Sequence, residues 1–167
     1  DWFHILTHDS FSQDHNVNIS GGSDKIRYYA SLGYTDEDDV INNTTNKRYT
    51  ATGKMDITLS DKLQLAFNMN GYLQDKKYAQ NENNPINYAY NTSRAIPAYN
   101  EDGTYASYQK YSGNGMDGYF NYSILNELDN SFQKQTTSGF TATANLRYNA
   151  ADWLFVSAIF SASTSNA

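Results

Sequence analysis

The chain has 167 residues, 39% of them hydrophobic, with a formal net charge of −6, no Cys, two Pro, 15 Tyr and 8 Phe. That hydrophobic share is too high for a disordered segment, and the acidic balance excludes a nucleic-acid binder, which needs a basic stripe to displace counterions from phosphates. No run of about 18 apolar residues exists to make a helical membrane span, and without Cys there is neither a disulfide scaffold nor a thiolate metal site.

His15 to Ser20 and Ile26 to Thr35 read as strands joined by Gly21-Gly22-Ser23-Asp24-Lys25, a turn rich in residues that tolerate positive φ. A longer polar loop, Asp36 to Asn46, follows and carries Glu37, Asp38 and Asp39. From Lys47 to Lys76 the alternation is clearest. Tyr49, Ala51, Gly53, Met55, Ile57 and Leu59 take one parity, against Arg48, Thr50, Thr52, Lys54, Asp56 and Thr58 on the other. After Ser60-Asp61-Lys62 the apolar parity resumes with Leu63, Leu65, Phe67, Met69 and Leu73. Successive strand side chains point to opposite faces, so each strand has an apolar and a polar side. Placing Leu59 opposite Leu63 sets Ile57 by Leu65, Met55 by Phe67 and Tyr49 by Leu73. Gly33, Gly53, Gly71 and Gly139 fall inside predicted strands, where glycine marks a bulge or a close approach.

The segment 77–132 is too long for a structureless loop. Tyr99 to Tyr105 reads as a small hairpin about Glu101-Asp102-Gly103, and Ile124, Leu125, Leu128 and Phe132 have the spacing of a short amphipathic helix. Tyr88, Tyr90, Tyr99, Tyr105, Tyr108 and Tyr111 offer flat amphipathic rings suited to a ligand or a protein partner. The last pair of strands, Gln135 to Tyr148 and Trp153 to Ser163, is joined by Asn149 to Asp152. Leu146 is expected opposite Leu154, and Phe140 opposite Phe160.

Connections thus run short, long, short, long, short, the order of an all-β, antiparallel up-and-down meander of six strands. Two readings share this pattern. In a transmembrane β-barrel the apolar parity faces lipid as one band and a polar lumen takes Arg27, Arg48, Lys54, Asp56 and Arg147. In a soluble or secreted binding module, a sandwich or meander, the apolar residues interdigitate inside and the same charges lie on a wet exterior.

Catalytic and metal motifs are missing. His4 and His8 are spaced i, i+4 but form no compact ligand set, and Asp36-Glu37-Asp38-Asp39 lacks the spaced ligands of a calcium loop. No nucleophile elbow or P-loop appears. The expectation is a non-enzyme with no cofactor and no bound metal.

The stretch His15-Asn16-Val17-Asn18-Ile19-Ser20-Gly21-Gly22-Ser23-Asp24-Lys25, followed by Tyr28-Tyr29-Ala30-Ser31-Leu32-Gly33-Tyr34, resembles the first barrel strands of SusC/RagA-type TonB-linked outer-membrane transporters. Asp1-Trp2-Phe3 is similar to that family's lead from plug to barrel, and Lys47-Arg48-Tyr49 to the start of its third strand. Segments 95–105 and 126–131 resemble two further landmarks. The resemblance implies part of a barrel of about 22 strands, which six strands cannot close, so the chain reads as a fragment or a piece of something longer. It implies residues 1–14 as plug-to-barrel lead-in, 15–76 as barrel strands 1–4, 77–132 as a long extracellular loop and 133–167 as strands 5–6. It further implies import of oligosaccharide or peptide across a Bacteroidetes-type outer membrane. The implied partners are a SusD-like surface lipoprotein acting as a lid, the TonB complex, reached through parts with no counterpart here, and outer-membrane lipid.

Overall fold

The computed structural model of the chain describes residues 1–79, 84–111 and 119–167, with backbone alone at 79, 108–111 and 119–121. The elements in order are α1 (Trp2–Leu6), β1 (Ser12–Gly22), β2 (Ile26–Asp38), β3 (Thr45–Ser60), β4 (Leu63–Ala79), α2 (Pro85–Asn91), β5 (Tyr108–Tyr111), β6 (Tyr119–Tyr122), α3 (Ile124–Asn130), β7 (Phe132–Ala151) and β8 (Leu154–Asn166). They fall into two compact units: 12–37, 46–75 and 135–167 form one, and 1–11, 38–45 and 76–134 the other.

The first unit is a single-layered six-stranded sheet of order β1-β2-β3-β4-β7-β8, the meander expected from the turn spacing and the arrangement of part of a β-barrel. β1 pairs antiparallel with β2, with Tyr34 opposite His15, Leu32 opposite Val17 and Tyr28 opposite Gly21. Contacts carry one consistent register across the next strands. Lys25 C=O accepts from Thr58 N–H at 2.7 Å, and the Tyr34 and Tyr49 rings lie 5.0 Å apart. Thr52 Oγ1 bonds Asn70 Oδ1 at 3.2 Å, directly opposite as the sequence pairing requires. The Asn149 N–H donates to Lys62 C=O at 2.8 Å.

Several strand boundaries move outward: β1 begins at Ser12, β3 at Thr45 and β7 at Phe132, while β4 ends at Ala79 and β8 at Asn166. Gly21 and Gly22 belong to β1, leaving Ser23–Lys25 as the turn, and β2 runs on to Asp38 where a polar loop was expected from Asp36. The first two short turns share one device. A serine hydroxyl accepts from the lysine N–H two residues on, at 3.4 Å for Ser23 and Lys25 and 3.3 Å for Ser60 and Lys62.

The last hairpin departs from its expected register. Leu146 faces Ala158 instead of Leu154, Ala144 faces Phe160, and Phe140 faces Thr164. β7 continues to Ala151, the register shifts between Asn149 and Ala151, and Asp152 and Trp153 make the turn. Large side chains meet small ones in this pairing. The slip is an even number of residues, so no side chain changes face.

Glycines inside the strands mark close approach. A Cβ at Gly139 would lie 2.5 Å from the Tyr72 ring, and one at Gly21 would lie 2.6 Å from the Tyr28 hydroxyl. At Gly71 the corresponding distance to Phe140 is 3.5 Å, and at Gly53 it is 3.4 Å to Met69. In each case a large side chain lies across the bare backbone of the strand beside it, which covers peptide groups that glycine leaves open.

The second unit has a core of Trp2, Leu6, Ala89, Ala98, Ile124, Leu125 and Leu128, with Tyr88, Tyr105 and Tyr122 packed against it. Its helices have five to seven residues, too short to persist alone, so packing and capping hold them. Asp1, Asn84 and Ser123 cap the three N-termini. α3 holds Ile124, Leu125 and Leu128 of the amphipathic segment read from the sequence, whereas Phe132 begins β7. Tyr99 and Tyr105 form an antiparallel bridge about a turn in which Gly103 takes φ +82°, the conformation glycine alone adopts without strain. β5 pairs antiparallel with β6.

Replacing Gly139 with Ala should lower stability by about 1–3 kcal/mol, since the new methyl collides with a ring laid flat on the sheet. Adding Tyr72→Ala should remove most of that penalty. Thermal unfolding of the four variants in a double-mutant cycle measures this coupling, and additive effects would show that ring and glycine do not meet.

Candidate functional site

Three surfaces carry chemistry, and two of them are the faces of the sheet. The apolar face is formed by alternate residues of all six strands. Its cross-strand rows read His15-Tyr34-Tyr49-Leu73, then Val17-Leu32-Ala51-Gly71-Phe140, and further on Tyr28-Met55-Phe67-Ala144-Phe160. Its side chains have no protein cover. Val17, Leu32 and Phe160 are 74%, 67% and 68% exposed, and every buried hydrophobic among the described residues belongs to the other unit.

One end of this band is aromatic. The His15 and Tyr34 rings stack 6.4 Å apart and Tyr34 leans on Tyr49. Beyond them Asp36 accepts from the Tyr34 hydroxyl at 2.8 Å and pairs with Lys47 at 3.6 Å. At the other end stand Tyr148, beside Val156, and Trp153 in the turn, 84% exposed. From Tyr49 to Leu59 is ten residues, about 33 Å along a strand and about 25 Å high at the usual barrel tilt.

The opposite face is hydroxyl- and amide-rich. Asn16 bonds Ser31 at 3.2 Å and Thr143 bonds Ser161 at 3.1 Å. Arg27, Arg48, Lys54, Asp56 and Arg147, the residues assigned to a lumen, all occur on this parity. Arg27, Asp56 and Arg147 line a groove of about 460 Å³ with Gln64 and Asn145, whose Oδ1 is buried without a protein donor. Arg147 is held in place, its guanidinium 4.2 Å over the Phe155 ring and its Nε donating to Asn149 at 3.2 Å. Arg48 lies 5.4 Å over Tyr72.

The third surface is the helical unit with its tyrosines. Tyr88 packs edge-on against Trp2 at 5.1 Å and near Tyr122 at 6.0 Å, so its ring belongs to the core. Tyr90, 74% exposed, stands edge-on to Phe3 at 4.9 Å, and Tyr99, 49% exposed, leans on Tyr105. The Tyr105 hydroxyl donates to the Asp129 carboxylate, which raises the phenol's pKa. Burial, then Glu127 and Tyr88, pushes the Tyr122 phenol up to about 12. Tyr108 and Tyr111 begin and end β5, and their side chains lie outside the described residues.

A hub that the sequence reading missed lies at residues 39–44. Asn43, at φ 64°, donates to Asp129 Oδ1 at 3.0 Å, while Asn42 donates to the Ile5 carbonyl at 2.9 Å. His8 reaches Asp38 at 2.9 Å and Asn42 at 3.0 Å. These partners are 30 to 86 residues apart, so no local motif announces them. His4 does not join His8. It follows Asp1 at 3.6 Å with a side chain 87% exposed, and His8 lies beyond the end of α1. Among the described residues no group of three or more His, Cys, Asp or Glu could hold a metal ion.

A single-layered antiparallel meander with one bare apolar face, aromatic at its margins, and one polar face is the wall of a transmembrane β-barrel. No protein-family model matches the chain. Curated relatives do. It is 31% identical over 115 residues to TonB-dependent receptor P26 of Formosa agariphila, covering 68% of this chain and 11% of that protein. To TonB-dependent receptor SusC of Bacteroides thetaiotaomicron it is 31% identical over 77 residues, 46% of this chain and 8% of the relative. To TonB-dependent receptor P3 of Formosa agariphila it is 28% identical over 95 residues, 52% and 10% respectively. The chain belongs to the SusC-type TonB-dependent receptor family, and it spans about a tenth of the length of these relatives.

The Tyr105–Asp129 bond gives a pH prediction. Because the folded-state pKa is raised, the bond's contribution is complete below the unfolded value of about 10 and disappears as pH climbs through the folded value. Site-resolved NMR of ring-labelled tyrosine should show Tyr105 ionising above the ordinary range, and Asp129→Asn should bring it back. An unchanged midpoint in that variant would mean the carboxylate is not the cause.

Proposed function

We propose that this chain forms a stretch of the wall and an external loop of an outer-membrane TonB-dependent transporter. The observation that carries this reading is the uncovered apolar face of the sheet, about 25 Å high, backed by a polar face. Water would penalise that much exposed hydrocarbon, and the sheet unit has no second layer to cover it. A lipid bilayer supplies the cover. The aromatic margins then sit where amphipathic rings reach both hydrocarbon and headgroup.

In this reading residues 15–76 and 133–167 are wall strands, 1–14 lead into them, and 77–132 form an extracellular loop. The sheet edges, β1 and β8, are where further strands would pair to complete the wall. Arg27, Arg48, Lys54, Asp56 and Arg147 face the aqueous lumen. The cargo is an oligosaccharide or a peptide, and a SusD-like surface lipoprotein serves as lid over the loop. Tyr90 and Tyr99, the most exposed of the named rings with described side chains, are the leading contacts for cargo or lid. Energy reaches the barrel from the TonB complex. No covalent step is required, in keeping with relatives that are named as receptors.

Neighbouring residues on opposite faces of one strand provide the test. Met69→Arg puts a charge midway up the apolar face and should cost about 2–4 kcal/mol in assembly, seen as loss of folded receptor from the outer-membrane fraction. Asn70→Arg, on the polar face, should assemble normally. Equal tolerance of both substitutions, or recovery of the native protein in the soluble fraction, would overturn the membrane reading.

A further inference from the structure

His8 lies between two oxygens that can only accept. Its Nδ1 is 3.0 Å from Asn42 Oδ1 and its Nε2 is 2.9 Å from Asp38 Oδ2. The Asn42 amide cannot be turned to offer its nitrogen, because that nitrogen already donates to the Ile5 carbonyl at 2.9 Å and a flip would set oxygen against oxygen. An ionised Asp38 has lone pairs alone. A neutral imidazole carries one N–H and one lone pair, so either tautomer would press a lone pair against an acceptor. Only the imidazolium, with two N–H groups, satisfies both partners.

We infer that His8 is a proton-controlled clamp, closed as the imidazolium, that fastens the segment entering β1 to the end of β2 and to the loop that follows it. The charged groups acting on the ring are Asp38 from β2 and Asp9 from its own segment, and both favour the cation. The pKa of His8 is accordingly raised, with the Asp38 bond as the largest cause and the Asn42 bond next. The clamp is superimposed on backbone bonds that do not titrate. His8 N–H donates to Val40 C=O at 2.9 Å, Asn42 N–H to Leu6 C=O at 3.2 Å, and Thr7 bridges Ile41. Loss of the proton therefore loosens the junction without detaching it.

The sign follows from the raised pKa. The clamp's contribution is complete below the unfolded value of about 6.5 and is lost as pH rises through the folded value. Surroundings more acidic than the unfolded value hold the junction closed, and those above the folded value open it. The device is new relative to the transport reading and does not depend on it.

Hydrogen exchange followed by mass spectrometry on the intact protein in detergent micelles tests the clamp, with rates corrected for the intrinsic pH dependence of exchange. Between about pH 6 and about pH 9, protection of amides in 7–11 and 40–44 should fall roughly twofold to fivefold along a single-proton curve, the range expected for a partly exposed charged pair. His8→Gln should abolish the pH dependence. Should that variant fail to assemble, Asp38→Asn serves instead and should move the midpoint down. Protection that is flat with pH in the native protein, a curve unchanged by His8→Gln, or a midpoint unmoved by Asp38→Asn would each overturn the proposal.

Discussion

The constraint on which the sheet depends is that every peptide group of a strand must find its partner on the next strand while one whole face goes without protein cover. A hydrocarbon surrounding offers no hydrogen bonds, so inter-strand pairing has to be complete and continuous. The meander meets this with three short turns on one side, and the side chains follow from it. Because residues alternate between faces, one register across β1, β2, β3, β4, β7 and β8 collects most of the valine, leucine, isoleucine, methionine and phenylalanine on one side, with Phe155 and Ile159 falling on the other. It collects serine, threonine, asparagine and the charges on the other.

Packing refines this arrangement through size complementarity. Tyr72 lies over Gly139, Phe140 over Gly71 and Tyr28 against Gly21, so the bulk of one strand fills the gap on its neighbour. The same rule explains the final hairpin, where Leu146 meets Ala158 and Ala144 meets Phe160. Matching large to large across that hairpin would crowd one row and leave the next thin. The shift at Asn149 and Ala151, together with the tight turn at Asp152 and Trp153, lets the complementary pairing form.

The helical unit obeys a different logic. Its three helices are too short for cooperative stability of their own, and a buried cluster about Leu6, Ile124 and Leu128 supplies it. Polar ties then fix the loop at 39–44 to α1 and α3, through Asn42 to Ile5 and Asn43 to Asp129, with the left-handed backbone of Asn43 aiming its amide at that carboxylate. The exposed rings of Tyr90 and Tyr99 stand on this ordered base, each supported by a second ring, Phe3 and Tyr105. A ring held in this way loses little freedom on meeting a ligand.

The sequence by itself determined the six two-faced strands of the larger sheet and their order, the meander, the register about Ser60–Lys62, the Tyr99–Tyr105 hairpin and the amphipathic stretch of α3, but not the short pair β5 and β6. All of these rest on period-two or period-3.6 patterns and on turn residues a few positions apart, which are local properties of the chain. Tertiary structure alone decided the register of β7 on β8, since an even slip leaves the face pattern unchanged and only side-chain size chooses between the alternatives. It alone took Tyr88 into the core and left Tyr90 exposed. It alone brought His8 to Asp38 and Asn42, and both Tyr105 and Asn43 to Asp129. Those groups stand up to 86 residues apart, and nothing in the spacing of one marks the other until the chain has closed around a common core.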